Sequence, residues 1–117
     1  MNDLYRVLAE LSRDVKAVNV ANGWWEDDRT FGDDIALLHS EASEALEAFR
    51  RWGTDDATAD AIGDQLPKPE GVGSELADVF IRLVDMCDRR GVNLAAETLR
   101  KLRFNETRGY RHGGKRL

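Results

Sequence analysis

The stretch from Glu75 to Cys87 constrains the fold more than any other. Leu76, Ala77, Val79, Phe80, Ile81, Leu83, Val84, Met86 and Cys87 put apolar side chains round most of a helical circumference. A helix like that is buried, so other elements must surround it. Ser74 before it and Gly91 after it mark its limits, predicting a helix from about residue 75 to Arg90. One polar stripe interrupts the apolar surface: Glu75, Asp78, Arg82, Asp85 and Arg89. Within it, Asp78–Arg82 and Asp85–Arg89 have the i, i+4 spacing of surface ion pairs, each worth about 0.3–0.5 kcal/mol.

Three more helices and no convincing strand can be read from the chain. Leu4, Leu8, Leu11, Val15 and Val18 form one stripe over Asn2 to Asn22, which Asn22-Gly23 can end. A helix over Asp33 to Trp52, stopped by Gly53, carries Ile35, Leu38, Ala42, Leu46 and Phe49 as its main apolar face. At 100° per residue, Leu37, Glu41, Glu44, Ala45 and Ala48 form an adjoining face, while His39 falls on the polar side, at the surface or an interface. The fourth helix runs from about Asn93 to Arg108, with Leu94, Leu99 and Leu102 able to face the core and Lys101, Asn105 and Arg108 sharing a side. The fold class is therefore all-α, with residues 1–108 as one helical domain and 109–117 as a flexible basic tail. A four-helix monomer of 117 residues cannot cover the central helix on every side, which predicts a homodimer or larger assembly.

Two connections hold unusual residues. Gly23 to Gly32 carries Trp24, Trp25 and Phe31, aromatics that can stack on a base or plug the core. Thr54 to Gly73 is long for a compact domain, a length often tied to function. It contains Pro67 and Pro69, and the alanines at 57, 59 and 61 favour a short helix around Asp56 to Ile62.

Charge narrows the partners. The net charge is −5, but Arg100 to Leu117 hold seven Lys/Arg and one Glu, or +6, leaving −11 on the other 99 residues. An acidic body with a basic end suits a metal site beside a small polyanion; the body would repel nucleic-acid backbones. No apolar run approaches the roughly 18 residues of a membrane span. The first ten residues lack signal-peptide order, and the single Cys87 rules out an internal disulfide. These features point to the cytoplasm, away from membranes.

The chemistry rests on Glu41-x-x-Glu44 and Glu75-x-x-Asp78. Each i, i+3 pair projects from one side of one helix turn. If the two helices pack antiparallel, four carboxylates converge, and their repulsion calls for a hard divalent cation. Magnesium takes oxygen ligands and keeps waters that substrate phosphates can replace. The alternative is that both pairs are solvated structural acids. Bundle di-iron sites use Glu-x-x-His, and no Glu here has a His three residues later; one Cys with His39 and His112 makes no zinc pattern. There is no phosphate-binding G-x-x-x-x-G-K-[ST] loop. Cys87 lies in the core pattern without a His partner, against a thiol nucleophile.

These segments resemble a known family. Ala36 to Trp52, reading ALLHSEASEALEAFRRW, is similar to the first metal helix of MazG-like nucleotide pyrophosphohydrolases, and Glu75 to Arg82, reading ELADVFIR, is similar to the second. The resemblance spans roughly Phe31 to His112. It implies a MazG-like all-α bundle that dimerises, sometimes into a dimer of dimers. It implies hydrolysis of nucleoside triphosphates between the α and β phosphates, giving the monophosphate and pyrophosphate. It implies Mg²⁺, replaceable by Mn²⁺, on Glu41, Glu44, Glu75 and Asp78. A carboxylate not fully taken up by metal, Glu41 or Glu44, is the candidate general base, and Asp85, one turn further along the stripe, is a candidate extra ligand or supporting residue. Lys101, Asn105 and Arg108 fit the family's Lys/Asn/cation positions, so these, with Arg111 and Lys115, are expected at the phosphates. Trp24, Trp25 and Trp52 are the candidates for the base, Trp52 equally a helix-end core residue. The chain departs from the family after Asn105, where no Pro follows Tyr110, and in the long spacer before Gly73, so the nucleotide preference stays open. A related phosphoribosyl-ATP pyrophosphohydrolase and a non-catalytic helical interaction module are the competing readings.

Overall fold

The computed structural model describes residues 2–55, 57–58, 64–114 and 116. It is all-α apart from one two-residue ladder. Helix α1 spans Asn2–Ala21, α2 Phe31–Trp52, α3 Val72–Arg89 and α4 Leu94–Glu106, and Arg111–Gly114 form a last helical turn, α5. No helix among the described residues is long and apolar enough to cross a membrane.

Local chemistry sets the ends. Thr30 caps α2: its hydroxyl accepts from the Asp33 amide at 3.1 Å, and the Asp33 carboxylate accepts from the Thr30 amide at 3.0 Å. This reciprocal box starts α2 at Phe31, two residues before the expected start at Asp33. It also holds the Asp33 carboxyl below its ordinary pKa, chiefly through the bond from the Thr30 backbone. Gly53, at φ 61°, ends α2 with its amide on the Phe49 carbonyl at 2.8 Å. Asn93 caps α4, its side-chain oxygen accepting from the Ala96 amide at 3.0 Å.

Between α2 and α3, Ala57–Thr58 (β1) pairs antiparallel with Pro69–Glu70 (β2), Ala57 opposite Glu70 and Thr58 opposite Pro69. The sequence pointed to no strand here, and to a short helix around Asp56 to Ile62. Two of those residues are extended instead, their backbone bonds going to β2; residues 56 and 59–62 lie outside the described residues.

The main packing is α2 against α3, with α1 laid on α3 and α4 on α1. Asp34 meets Arg90, and Glu41 meets Arg82, so α2 and α3 run antiparallel. The face α2 turns to α3 is not its larger apolar one. Ala45 and Ala48 are buried at 8% and 4% exposure, whereas Leu46 and Phe49 are each 53% exposed. Arg82 of the polar stripe on α3 is turned inward to meet Glu41. On α3 itself Val84 and Cys87 are buried, while Leu76 and Phe80, near its start, are exposed.

The result is open. The radius of gyration is 17.1 Å, against about 13 Å for a compact domain of this length. The accessible surface is 9066 Å² for 13.2 kDa, roughly 2,700 Å² more than the ~6,400 Å² of a compact monomer of that mass.

Candidate metal centre

Helix register brings the carboxylates together. Glu41 on α2 and Glu75 and Asp78 on α3 each offer an oxygen within 4.8 Å of the others. Glu44 lies one turn on from Glu41, close enough to Glu75 for its charge to act on that carboxyl. The Glu75 carboxyl is raised above its ordinary pKa, first by burial, then by the negative charges of Asp78 and Glu44. Asp78 is raised as well, by burial and by Glu41, against the opposing charges of Arg82 and Lys68.

These residues fit a hard cation. Oε2 of Glu75 is buried and has no hydrogen-bond partner, an arrangement that costs roughly 1–3 kcal/mol or more when left unmet. An oxygen-only donor set of this spacing could hold a metal ion.

The stripe on α3 makes no pair along its own helix among the described residues. Arg82 donates through Nε to Oε1 of Glu41 at 2.7 Å, across to α2. Asp85 accepts from the Trp25 indole at 2.9 Å, and its other oxygen lies 3.6 Å from Arg29. Arg89 turns to the 23–30 loop, donating to the carbonyls of Trp24 at 2.8 Å and Asp27 at 3.4 Å. The i, i+4 spacing is present, but stronger partners lie off the helix. Both Asp85 oxygens are thus engaged by the loop.

That loop roofs one side of the centre. Arg29 and Arg90 both reach the buried Asp34, at 3.4 and 2.8 Å, and Arg90 also donates to the Arg29 carbonyl at 2.6 Å. Trp25 has Lys16 and Arg89 at 4.3 and 4.5 Å from its ring centre, both within cation–π range. Trp24 is exposed and lines a cleft of about 200 Å³ together with Glu41, Asp78 and Arg82. Trp52 sits elsewhere, in a groove with Glu44, Lys68 and Glu75. Exposed Phe31 opens α2.

Among the described residues, the cations at and beyond α4 line neither pocket next to this centre within one chain. Lys101, Asn105, Arg108 and Arg111 line neither the cleft nor the groove. Lys101 and Arg108 flank Phe104, at 5.7 and 5.6 Å, and Arg111 lies 5.6 Å from Tyr110. Lys115 lies outside the described residues. His39 is exposed. Cys87 is buried, and burial pushes its thiol pKa up, the opposite of an activated nucleophile.

Sequence reasoning missed Arg29, Asp34 and Arg90. The available signal was an acid in the first turn of α2 with arginines near both ends of the loop–helix frame, but no periodicity links positions 56 residues apart. Against family models, curated proteins and solved structures, the chain has no match.

Proposed function

We propose that the protein is a Mg²⁺-dependent nucleotide pyrophosphohydrolase with a MazG-like bundle, cleaving nucleoside triphosphates between the α and β phosphates. The observation that carries this reading is the convergence of Glu41, Glu75 and Asp78 within 4.8 Å on two antiparallel helices. Those are three of the four positions of the E-x-x-E and E-x-x-D pattern, and Glu44, the fourth, adjoins Glu75.

Glu41, Glu75 and Asp78 would hold the ion, with Glu44 beside them. When bound, the ion supplies charge neutralisation at the phosphates and orients the attacking water. Glu44 is exposed and makes no ion pair among the described residues, whereas Glu41 already accepts from Arg82. Glu44 is therefore the better placed to take a proton from water. Trp24, at the cleft, offers a face for a base.

The test is a panel of ribo- and deoxynucleoside triphosphates and phosphoribosyl-ATP, each with and without Mg²⁺. Pyrophosphate is the expected first product, only with metal. Orthophosphate first would move the cleaved bond; activity confined to phosphoribosyl-ATP would favour the related enzyme. No product from any substrate, with a melting temperature indifferent to Mg²⁺, would leave a structural acidic stripe.

The same reading includes a homodimer or dimer of dimers. Leu46, Phe49, Leu76 and Phe80 are exposed, and the excess surface of two copies together, about 5,400 Å², is at the upper end of an obligate interface, about 2,000–5,000 Å² over both partners. The reading assigns the phosphate contribution of Lys101, Asn105 and Arg108 to a second copy. Light scattering at micromolar concentration is expected to give twice 13.2 kDa or more; a 13.2 kDa species would rule the assembly out.

A further inference from the structure

We propose that Arg82 and the divalent cation compete for Glu41, and that the guanidinium displaced from Glu41 serves a phosphoryl oxygen of the substrate. The inference rests on the metal-centre reading above.

Among the described residues, Arg82 makes the one ion pair that reaches any of Glu41, Glu44, Glu75 and Asp78. Its Nε lies 2.7 Å from Oε1 of Glu41, an oxygen of a carboxylate in the converging cluster. A guanidinium has five N–H donors and stays charged at any working pH. Only the Nε donor is used here; the terminal amino groups have no acceptor among the described residues, and they are not buried. Arg82 also lines the cleft shared by Trp24, Glu41 and Asp78.

The charge of Arg82 must therefore go somewhere when Glu41 turns to a dication. Beside the ion it is repelled; beside a phosphate it is attracted, in the planar two-point geometry that guanidinium and phosphate share. Arg82 lines the same cleft as Glu41 and Asp78, so side-chain rotation alone can carry the guanidinium off Glu41. The consequence is coupling: Arg82 weakens the hold of the protein on metal alone and strengthens its hold on metal with polyphosphate.

The test is calorimetric titration with Mn²⁺ alone, then with inorganic tripolyphosphate into protein kept in saturating Mn²⁺. Arg82→Gln is expected to bind Mn²⁺ about tenfold more tightly, through loss of a neighbouring positive charge, and tripolyphosphate about tenfold more weakly. Arg82→Lys keeps the charge without the fork. It is expected to hold Mn²⁺ near the wild-type affinity and tripolyphosphate less well, which keeps the proposal open to refutation should the Gln variant not fold. A purely structural role would move both affinities the same way. Any combination other than the opposite shifts overturns the proposal. Equal Mn²⁺ affinity in wild type and Arg82→Gln sinks the Arg82 assignment and leaves the centre standing. No Mn²⁺ binding by either sinks the centre with it.

Discussion

Replacing Asp78 with Asn is expected to lower pyrophosphate release by more than about a hundredfold, the scale seen when even a supporting residue of a metal site is lost. The same change is expected to raise the melting temperature of EDTA-treated protein. Both follow from one arrangement. Asp78 shares a 4.8 Å cluster with Glu41 and Glu75, and its carboxyl pKa is raised by burial and by the charge of Glu41. A raised carboxyl pKa means that the ionised group costs folding energy at neutral pH, stability that is lost as pH rises through the folded pKa. The amide removes that cost and also removes an oxygen anion from the donor set proposed for the cation. Glu44→Gln should share the loss of activity. Circular dichroism checks that helicity is kept. Asp78→Asn with full activity would sink the metal mechanism; lost activity with a lowered melting temperature would instead make Asp78 a structural residue.

Asp34→Ala is expected to have the largest effect on stability, about 3–5 kcal/mol, from a total that for a domain is about 5–15 kcal/mol. The Asp34 side chain is 3% exposed and receives Arg90 Nε at 3.0 Å and a terminal nitrogen at 2.8 Å, with Arg29 at 3.4 Å. Alanine leaves two partly buried guanidiniums without their shared partner. It also removes a negative charge from the first turn of α2, where the helix dipole favours one. Urea denaturation should show a lower midpoint at an unchanged slope. A shift worth less than about 1 kcal/mol, the level of an exposed pair, would show that the cluster is held by packing instead.

The helices themselves were legible in the sequence. The expected limits of α1 and α4 lie within two residues of those found, and α3 begins at Val72, three residues before the expected start, without a side-chain cap. The convergence of Glu41, Glu75 and Asp78 was legible too, because i, i+3 spacing on two adjacent helices leaves few ways to arrange the acids. What could not be read was which face of α2 meets α3. Hydrophobicity alone favours Leu46 and Phe49, yet Ala45 and Ala48 are chosen, because the α3 stripe brings charge inward and small residues allow the approach. The partners of Arg82, Asp85 and Arg89 were hidden for a related reason. Local spacing offered each a neighbour on α3, and the true partners come from α2 and from the 23–30 loop, 41 to 65 residues away in the chain.

The way α3 grips that loop has a consequence for how such a protein can change over generations. Arg89 and Arg90 take the carbonyls of Trp24, Asp27 and Arg29, and a carbonyl is the same whatever side chain stands beside it. The path of the backbone over the cleft is thus largely indifferent to which residues occupy positions 24, 27 and 28. Trp24 can be exchanged, and the lining of the cleft redrawn, while the roof stays where it is. The side chains at those positions are free to vary on a scaffold that their exchange does not unsettle.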